Sequence, residues 1–251
     1  MEVQMKEFRA SWTAIEYAAR VSRRSPMAET QKEQVRFLKG LKKLKHLEPF
    51  RFAHRIVSTG EIHDVQNIPG LHVTQRAGSL LVSLNEQHII EHPQLKKLRM
   101  HTHIDGASLH GKEADLHSAY IFEFDGIDRA TADQIRTYGQ AGHVMESQRT
   151  VKPNDGLIVP ASIQADVKAM QAWHDYGIAL KLAMLRLEER DIPREDIRAV
   201  YPMATQTRII SIMRLGNWKQ FIRERLHSSA QTGIQEAAWE VQTALKEKGV
   251  L

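Results

Sequence analysis

Apolar residues recur three or four positions apart in several stretches of the chain, and this spacing predicts amphipathic helices. A helix is predicted over residues 11–22, and the capping pattern Thr30-x-x-Glu33 opens the next one. Further helices are predicted over 130–140, 163–190, 217–225 and 230–246. The side chains predicted to be buried are Ala14, Ala18 and Ala19 in the first helix, Val35, Leu38, Leu41 and Leu44 in the second, Met170, Trp173, Ile178, Leu182 and Leu185 in 163–190, and Ile234, Ala238, Val241 and Leu245 in the last.

Strands are predicted at 50–57, 120–124 and 207–213, and a strand or a short helix around 80–84. Residues 143–150 are predicted to be extended. Side chains two apart on an extended chain point the same way, so Ser147 and Arg149 can offer a hydroxyl and a guanidinium to one phosphate. Taken alone, Ser-x-Arg is a common pattern, and a surface salt bridge of Arg149 is its simpler interpretation.

The order of these elements predicts a mixed α/β (α+β) fold with a central sheet and long flanking helices. We find no internal repeat, low-complexity segment or linker, so residues 1–251 are interpreted as a single domain. Residues 60–118 give the weakest pattern. A short helix is predicted to begin at Pro193 and to end before Pro202, because proline fits a first helical turn and interrupts later ones.

The formal net charge is +5 and the estimated pI is 9.4, which favours an anionic ligand: nucleic acid, a nucleotide or a polyglutamylated cofactor. Lys39, Lys42, Lys43 and Lys45 are interpreted as a solvated helix face. Nucleic acid is possible but not favoured, because no aromatic residues alternate with these lysines. The chain has no run of eighteen apolar residues and no apolar signal core at its start, so we expect a cytoplasmic protein outside the membrane.

The chain contains no cysteine, which excludes disulfides, thiolate zinc sites and cysteine nucleophiles. Histidines are frequent between 88 and 117, and His101-x-His103 followed by Asp105 resembles a metal-binding strand of amidohydrolases. That assignment needs an apolar strand before the histidines, whereas Leu-Lys-Lys-Leu-Arg precedes them. We therefore interpret this tract as a loop with solvated histidines and predict no metal site.

Several motifs, in order and spacing over most of the chain, resemble the flavin-dependent thymidylate synthase family. These motifs are Ala18-Ala-Arg-Val-Ser22, His46-Leu-Glu-Pro-Phe50, Gly126-Ile-Asp-Arg-Ala130 followed by Gln134 and Ser147-Gln-Arg149, Ile192-Pro-Arg-Glu, Ile197-Arg-Ala-Val-Tyr-Pro202, Thr207-Arg208 and Ala230-Gln-x-x-Ile-Gln235. Residues of about 60–118 do not share the resemblance and are interpreted as a family-atypical insertion.

The resemblance implies a homotetramer with active sites shared between subunits. It also implies binding of deoxyuridine monophosphate, FAD, 5,10-methylenetetrahydrofolate and NADPH, and methylation of uracil C5 without a cysteine nucleophile. It places Gln134, Ser147, Arg149, Arg198 and Arg225 at nucleotide-contact positions. Of these, Arg225 and Gln134 are expected to place the ring for catalysis, and Ser147, Arg149 and Arg198 to hold the phosphate. Pairing of these arginines with Glu195, Asp196 or Glu224 is the structural alternative.

The family's flavin signature, Arg-His-Arg-x-x-Ser, is replaced in this chain. Its positions fall on Thr137, Tyr138, Gly139 and Gly142, while a family histidine falls on Ser229 and an asparagine on Arg214. FAD is therefore doubtful, and if it binds, Ser22, Arg136 and Arg214 are expected to hold it. Tyr138 or His143 can replace a lost proton-transfer group, although a packed tyrosine and a solvated histidine are the simpler interpretations.

Two functions remain open. The first is folate-dependent one-carbon transfer to C5 of a pyrimidine deoxynucleotide monophosphate, dUMP or dCMP. It ends in a methyl group when a hydride is supplied, or in a hydroxymethyl group when water adds to the exocyclic methylene. The second is a catalytically silent relative that binds a nucleotide or nucleic acid.

Overall fold

In this computed structural model, the described residues (1–60, 68–139, 141–152 and 156–251) form two four-stranded antiparallel sheets. The strands are β1 Glu2–Lys6, β2 His54–Thr59, β3 His72–Arg76, β4 Ser79–Asn85, β5 Thr102–His103, β6 Ala119–Asp128, β7 Gly142–Met145 and β8 Gln206–Arg214. The first sheet has the order β1-β6-β8-β7, and the second has the order β3-β4-β2-β5.

Helices lie between these strands along the chain or follow the last of them. They are α1 Ser11–Val21, α2 Gln31–Lys43, α3 Glu86–Glu91, α4 Gly111–His117, α5 Arg129–Arg136, α6 Ala161–Gln164, α7 Val167–Glu188, α8 Arg194–Ile197, α9 Leu215–Arg225 and α10 Thr232–Glu247. Short 3₁₀ segments lie at Glu48–Phe52, Pro93–Met100, Gly106–Ser108 and Arg198–Val200. None of the described helices is both long enough and apolar enough to cross a membrane.

The main core lies between the first sheet and the helices α9 and α10. Trp218 of α9 is fully buried, and its ring centroid lies 4.9 Å from that of Phe122 on β6. Because alternate residues of a strand face one side of a sheet, Phe122 and Phe124 share this inner face. The same hydrophobic cluster includes Ile56 and Leu81 of the second sheet. This shared core supports our proposal of one domain.

Most predicted elements are confirmed. The mixed α/β class is correct, as are the strands at 80–84, 120–124 and 207–213 and the helices at 11–22, 217–225 and 230–246. The capping box at Thr30 is present, with Glu33 N 3.2 Å from Thr30 Oγ1. The short helix after Pro193 is also present. The predicted helix over 130–140 ends at Arg136, and Gln140 lies outside the described residues.

The prediction of one central sheet was incomplete, because residues 60–118, which we expected to be an insertion, build most of a second sheet. Strands β3, β4 and β5 lie within 60–118, and β2 pairs with both β4 and β5. The strand predicted at 50–57 was partly wrong. Glu48–Phe52 form a 3₁₀ segment, with Pro49 in its first turn, where a missing N–H costs nothing. The strand begins only at His54.

Two predicted core stripes were wrong. No residue of α7 is buried, and Ile178, Leu182 and Leu185 are 50%, 49% and 44% exposed. On α2 only Leu38 is buried, whereas Leu44 is 63% exposed. Helical spacing shows which face of a helix is apolar, but it does not show that the same chain covers that face.

Candidate functional site

A groove of about 870 Å³ lies between α2, the turn that follows it, and β7 with its following turn. Small-molecule sites have volumes of roughly 300–1,000 Å³, so the groove can hold a ligand of that class. Its walls combine apolar side chains, such as Phe37 and Leu41, with four cations that outnumber two carboxylates. The cations are Arg23, Arg36, Lys45 and Arg149, and the carboxylates are Glu33 and Glu48. This composition suits a flat organic molecule that carries an anionic group.

Ser147 and Arg149 both line this groove, although not on an extended chain as predicted. Strand β7 ends at Met145, and residues 147–150 form a turn closed by Thr150 N donating to Ser147 O at 3.1 Å. The turn is held at the end of α1 because Ser147 N donates to Ser22 O at 2.9 Å. Strand geometry therefore does not align the two side chains. The prediction that they share one ligand depends instead on their common place in the groove wall.

The exposed Arg149 makes no ion pair and no side-chain hydrogen bond with any described residue. The same holds for Arg198 in the 3₁₀ segment Arg198–Val200. The alternative in which these arginines are neutralised by Glu195, Asp196 or another described carboxylate is therefore not found.

Gln134 and Arg225 form a second group, at the ends of α5 and α9. The Gln134 side-chain amide donates to Gln231 Oε1 at 2.8 Å. Arg225 Nε donates to the Tyr138 hydroxyl at 3.1 Å, and Arg225 Nη2 lies 3.5 Å from Thr137 Oγ1. Gln134, Arg225 and Arg198 do not line the groove that holds Arg149.

Arg129, at the start of α5, is a candidate that the sequence analysis did not select. It is half-buried, and Arg129 Nη1 lies 3.5 Å from the Glu146 carbonyl oxygen. Burial lowers the pKa of the Arg129 guanidinium; the charges of Asp133 and Glu146 oppose this shift, and those of Arg136 and Arg198 add to it. Like charges gathered at a partly buried place favour an anion between them. The signal was available, since Arg129 lies within the Gly126-Ile-Asp-Arg-Ala130 motif.

The positions of the replaced flavin signature do not fit the flavin contacts that the resemblance implies. A β-carbon at Gly142 would lie 2.8 Å from Ile212 Cγ2 and 2.9 Å from Arg51 Cβ, so even a serine forces these neighbours to move. Thr137 Oγ1 donates to Gln134 O at 2.7 Å, and Ser229 Oγ lies 2.8 Å from His227 Nδ1. We therefore assign no reaction step to a flavin.

The three residues expected to replace those contacts do not gather at one place. Ser22 lines the groove, with its hydroxyl donating to Ala19 O at 2.8 Å. Arg136 pairs with Asp133 at 3.1 Å on the exposed face of α5. Arg214 faces a separate cavity of about 240 Å³ between the sheets, where its Nη2 donates to Gly70 O at 2.7 Å.

His143 was interpreted as solvated, but it is packed. Its Nδ1 lies 2.9 Å from Ser211 Oγ and its Nε2 lies 3.1 Å from Tyr138 O. Burial lowers the pKa of His143 to about 4, so the ring is neutral near pH 7 and both its nitrogens are engaged. Burial and a hydrogen bond to Glu224 raise the pKa of Tyr138 to about 12. Neither group is poised to exchange a proton near neutral pH.

The histidine-rich tract is divided between exposed and buried positions. His103 is exposed on β5, and Asp105 caps the next 3₁₀ turn by accepting from Ala107 N at 3.0 Å. His117 is buried, with its Nε2 2.7 Å from Thr74 Oγ1. Across the described residues, no group of three or more His, Cys, Asp or Glu side chains is placed to hold a metal ion.

A family model described as "Thymidylate synthase complementing protein" matches residues 100–248, which is more than half of the chain. The chain belongs to this family. Within it, the flavin-dependent thymidylate synthase of Pyrococcus horikoshii is 30% identical over 145 residues, covering 55% of this chain and 60% of the relative. The enzyme of the same name from Sulfurisphaera tokodaii is 31% identical over 153 residues, covering 57% and 56%. The match thus spans little more than half the length of these relatives.

Among solved structures, a UMP/dUMP methylase from Streptomyces cacaoi, bound to 5-bromo-dUMP, resembles the chain with a TM-score of 0.51. The similarity covers 98% of this chain and 90% of that one at 15% sequence identity. At this identity the similarity concerns the fold alone, and it covers almost the whole chain.

Proposed function

We propose that this protein transfers a one-carbon unit from 5,10-methylenetetrahydrofolate to C5 of a pyrimidine deoxynucleotide monophosphate, dUMP or dCMP. The supporting observation is that Arg149 and Arg198 make no ion pair with a described carboxylate, while Arg225 is held by Tyr138 and Thr137 and not by a direct salt bridge to Glu224. Guanidinium groups without a salt bridge are common on protein surfaces, but the resemblance to the family implies nucleotide contacts at these three positions. A phosphate monoester accepts paired N–H donors, which Arg provides in a planar fork.

The chemistry proposed for the site is orientation and charge stabilisation. Ser147, Arg149 and Arg198 hold the phosphate, while Arg225 and Gln134 orient the ring and stabilise charge that develops on its oxygens. A bond forms between C5 and the methylene carbon, the C5 proton is lost to solvent, and the bond from that carbon to the folate nitrogen breaks, so that tetrahydrofolate leaves and an exocyclic methylene remains. Addition of water to the resulting exocyclic methylene gives a 5-hydroxymethyl nucleotide, whereas a hydride donor gives a methyl group. The replaced flavin contacts favour the route through water.

We further propose that the site is completed by a homotetramer. Arg149 lies in the groove, whereas Arg225 and Gln134 lie at the ends of α5 and α9. Assembly would bring the groove of one copy against the second group of another. The apolar face of α7 is exposed in the single chain, and another copy is the covering partner that we propose for it.

The decisive experiment incubates the protein with dUMP or dCMP and 5,10-methylenetetrahydrofolate, with and without reduced flavin, and measures the nucleotide by mass spectrometry. We expect a gain of one hydroxymethyl group without added reductant. A gain of one methyl group that needs flavin would assign the family's thymidylate synthesis instead. No mass gain under any condition would support the second candidate, a catalytically silent relative, which the engaged flavin-signature positions also favour.

Replacement of Arg149 or Arg225 by Ala tests the binding site. Each change removes a charge-assisted contact worth about 1.5–3 kcal/mol, so Kd for dUMP should rise roughly 10- to 150-fold. The matched control is Arg223→Ala, which removes an exposed guanidinium from the same helix as Arg225. Unchanged affinity in both site variants would refute the proposed site.

A further inference from the structure

Tyr138 lies between two charged neighbours on α9, at the position where the family signature has its histidine. Its hydroxyl donates to Glu224 Oε2 at 2.6 Å and accepts from Arg225 Nε at 3.1 Å. The Arg225 guanidinium carbon also lies 5.4 Å from the centre of the Tyr138 ring. Phe221 packs edge-on against that ring, with the centroids 5.3 Å apart. The phenol is therefore fixed by its ring and by both hydrogen bonds.

Glu224 and Arg225 are adjacent in sequence, yet they form no ion pair with each other in the described chain. Both oxygens of Glu224 are occupied, because Oε1 accepts from the Gln220 amide at 2.7 Å and Oε2 accepts from Tyr138. A hydrogen bond that holds the carboxylate on the phenol keeps it from closing a two-pronged pair on the guanidinium. Neither terminal nitrogen of Arg225 forms a salt bridge with a described carboxylate, and the 3.5 Å contact of Nη2 with Thr137 Oγ1 is one that an incoming anion can replace.

The direction of these hydrogen bonds follows from protonation. Burial raises the pKa of Tyr138 to about 12, with a further contribution from the bond to Glu224. The phenol therefore keeps its single proton at neutral pH. Its O–H donates a hydrogen bond to the Glu224 carboxylate, and its lone pairs accept from the Arg225 guanidinium. The two partners cannot be interchanged, because an ionised carboxylate only accepts hydrogen bonds and a guanidinium only donates them.

We propose that Tyr138 is a positioning residue that holds Glu224 away from Arg225 and so preserves the charge of Arg225 for the substrate anion. This inference rests on the proposed function, which assigns Arg225 to the nucleotide. Tyr138 occupies the position of the family's signature histidine, and it acts on the nucleotide site through the side chains of Glu224 and Arg225. Phenylalanine at this position would keep the ring but release the carboxylate.

The test is a double-mutant cycle with dUMP as the probe, using Tyr138→Phe, Glu224→Gln and the double variant. In Tyr138→Phe the released carboxylate pairs with Arg225, and Kd for dUMP should rise roughly three- to tenfold. In the double variant a neutral amide replaces that carboxylate, and Kd should return to within about twofold of the original value. Thermal unfolding of each variant shows whether the fold is kept.

A merely structural tyrosine gives a different result, because Glu224→Gln does not repair a packing defect. Loss of affinity in Tyr138→Phe without rescue in the double variant would therefore overturn the inference, as would unchanged affinity in Tyr138→Phe. Arg225→Ala separates this failure from that of the proposed function. If Arg225→Ala weakens dUMP binding while the cycle shows no coupling, only the role of Tyr138 is lost. If Arg225→Ala has no effect, the nucleotide assignment fails, and the inference fails with it.

Discussion

Helices α7 and α10 have similar sequence patterns and opposite environments. Ile234, Val241 and Leu245 of α10 are completely buried against the first sheet and α9. Ile178, Leu182 and Leu185 of α7 are near half exposed, and no residue of that helix is buried. The stripe on α10 stabilises the single chain, whereas the stripe on α7 can contribute comparable burial only when another surface covers it.

This difference matters for function because the candidate site is divided in a similar way. Ser147, on the turn after β7, and Arg225, at the end of α9, are each held by a hydrogen bond to a fixed partner. Arg198 follows α8, outside the main core, and is exposed. The apolar face of α10 is buried within one chain, whereas we propose that the apolar face of α7 and the candidate site are completed only by assembly.

The largest expected effect is on α10. Val241→Asp places an unpaired charge in a fully buried position, and we expect it to lower the free energy of unfolding by more than about 4 kcal/mol. That loss is comparable to the whole stability of many domains, so the chain should be largely unfolded. Urea denaturation followed by circular dichroism measures it. A folded variant of ordinary stability would show that α10 is not part of the core.

The same substitution on α7, Leu182→Asp, should leave the single chain folded. The position is 49% exposed, so its unfolding free energy should change by only about 0.5 kcal/mol. Assembly should weaken by about 2 kcal/mol for each leucine that loses its apolar cover, with a parallel loss of nucleotide conversion. Sedimentation velocity measures the mass. Lys181→Asp adds a carboxylate at the next position as a control, and equal effects from both would argue against a specific apolar contact.

A pH titration tests the packed region around β7. The folded-state pKa of His143 is about 4, below its ordinary value of 6.5. The unfolded chain therefore binds the extra proton first, so stability is complete above about pH 6.5 and falls as the pH drops towards 4. The expected slope is about 1.4 kcal/mol per pH unit for this one proton. Urea denaturation at several pH values measures this dependence. Replacing His143 by Gln should reduce the slope of unfolding free energy against pH by the contribution of one proton, and an unchanged slope would contradict a buried, neutral ring.

The smallest expected effect is on α2, a helix between the two extremes. Gly40 lies inside this helix in the wall of the groove, and a β-carbon there would meet no atom within 4 Å. Gly40→Ala should therefore raise the unfolding free energy by about 0.5–1 kcal/mol through helix propensity. If the variant is more stable but binds dUMP or the folate less tightly, a ligand approaches the helix at this point. A loss of stability would show that the position is not open.

Local patterns predicted much of the fold and part of the site. The capping box at Thr30, the alternation of β8 and the stripe of α10 depend on neighbours within a few residues, so they can be read from the chain directly. The residues of the proposed nucleotide site were selected from the family motifs. The engagement of Tyr138 by Glu224 and Arg225 could not be predicted, because the hydroxyl and its partners are 86 and 87 positions apart.

The sequence by itself determined the mixed α/β class, most element positions, the absence of a cysteine nucleophile and the resemblance that names the substrate class. Only the tertiary structure decided that residues 60–118 contribute a second sheet, that no residue of α7 is buried, that Ser147 and Arg149 lie on one turn in the groove wall, and that Arg129 lies near Arg136 and Arg198. Periodicity and motif spacing report which side chains share a face. Which surface covers that face, and which distant group engages a given side chain, depends on long-range packing that no local pattern contains.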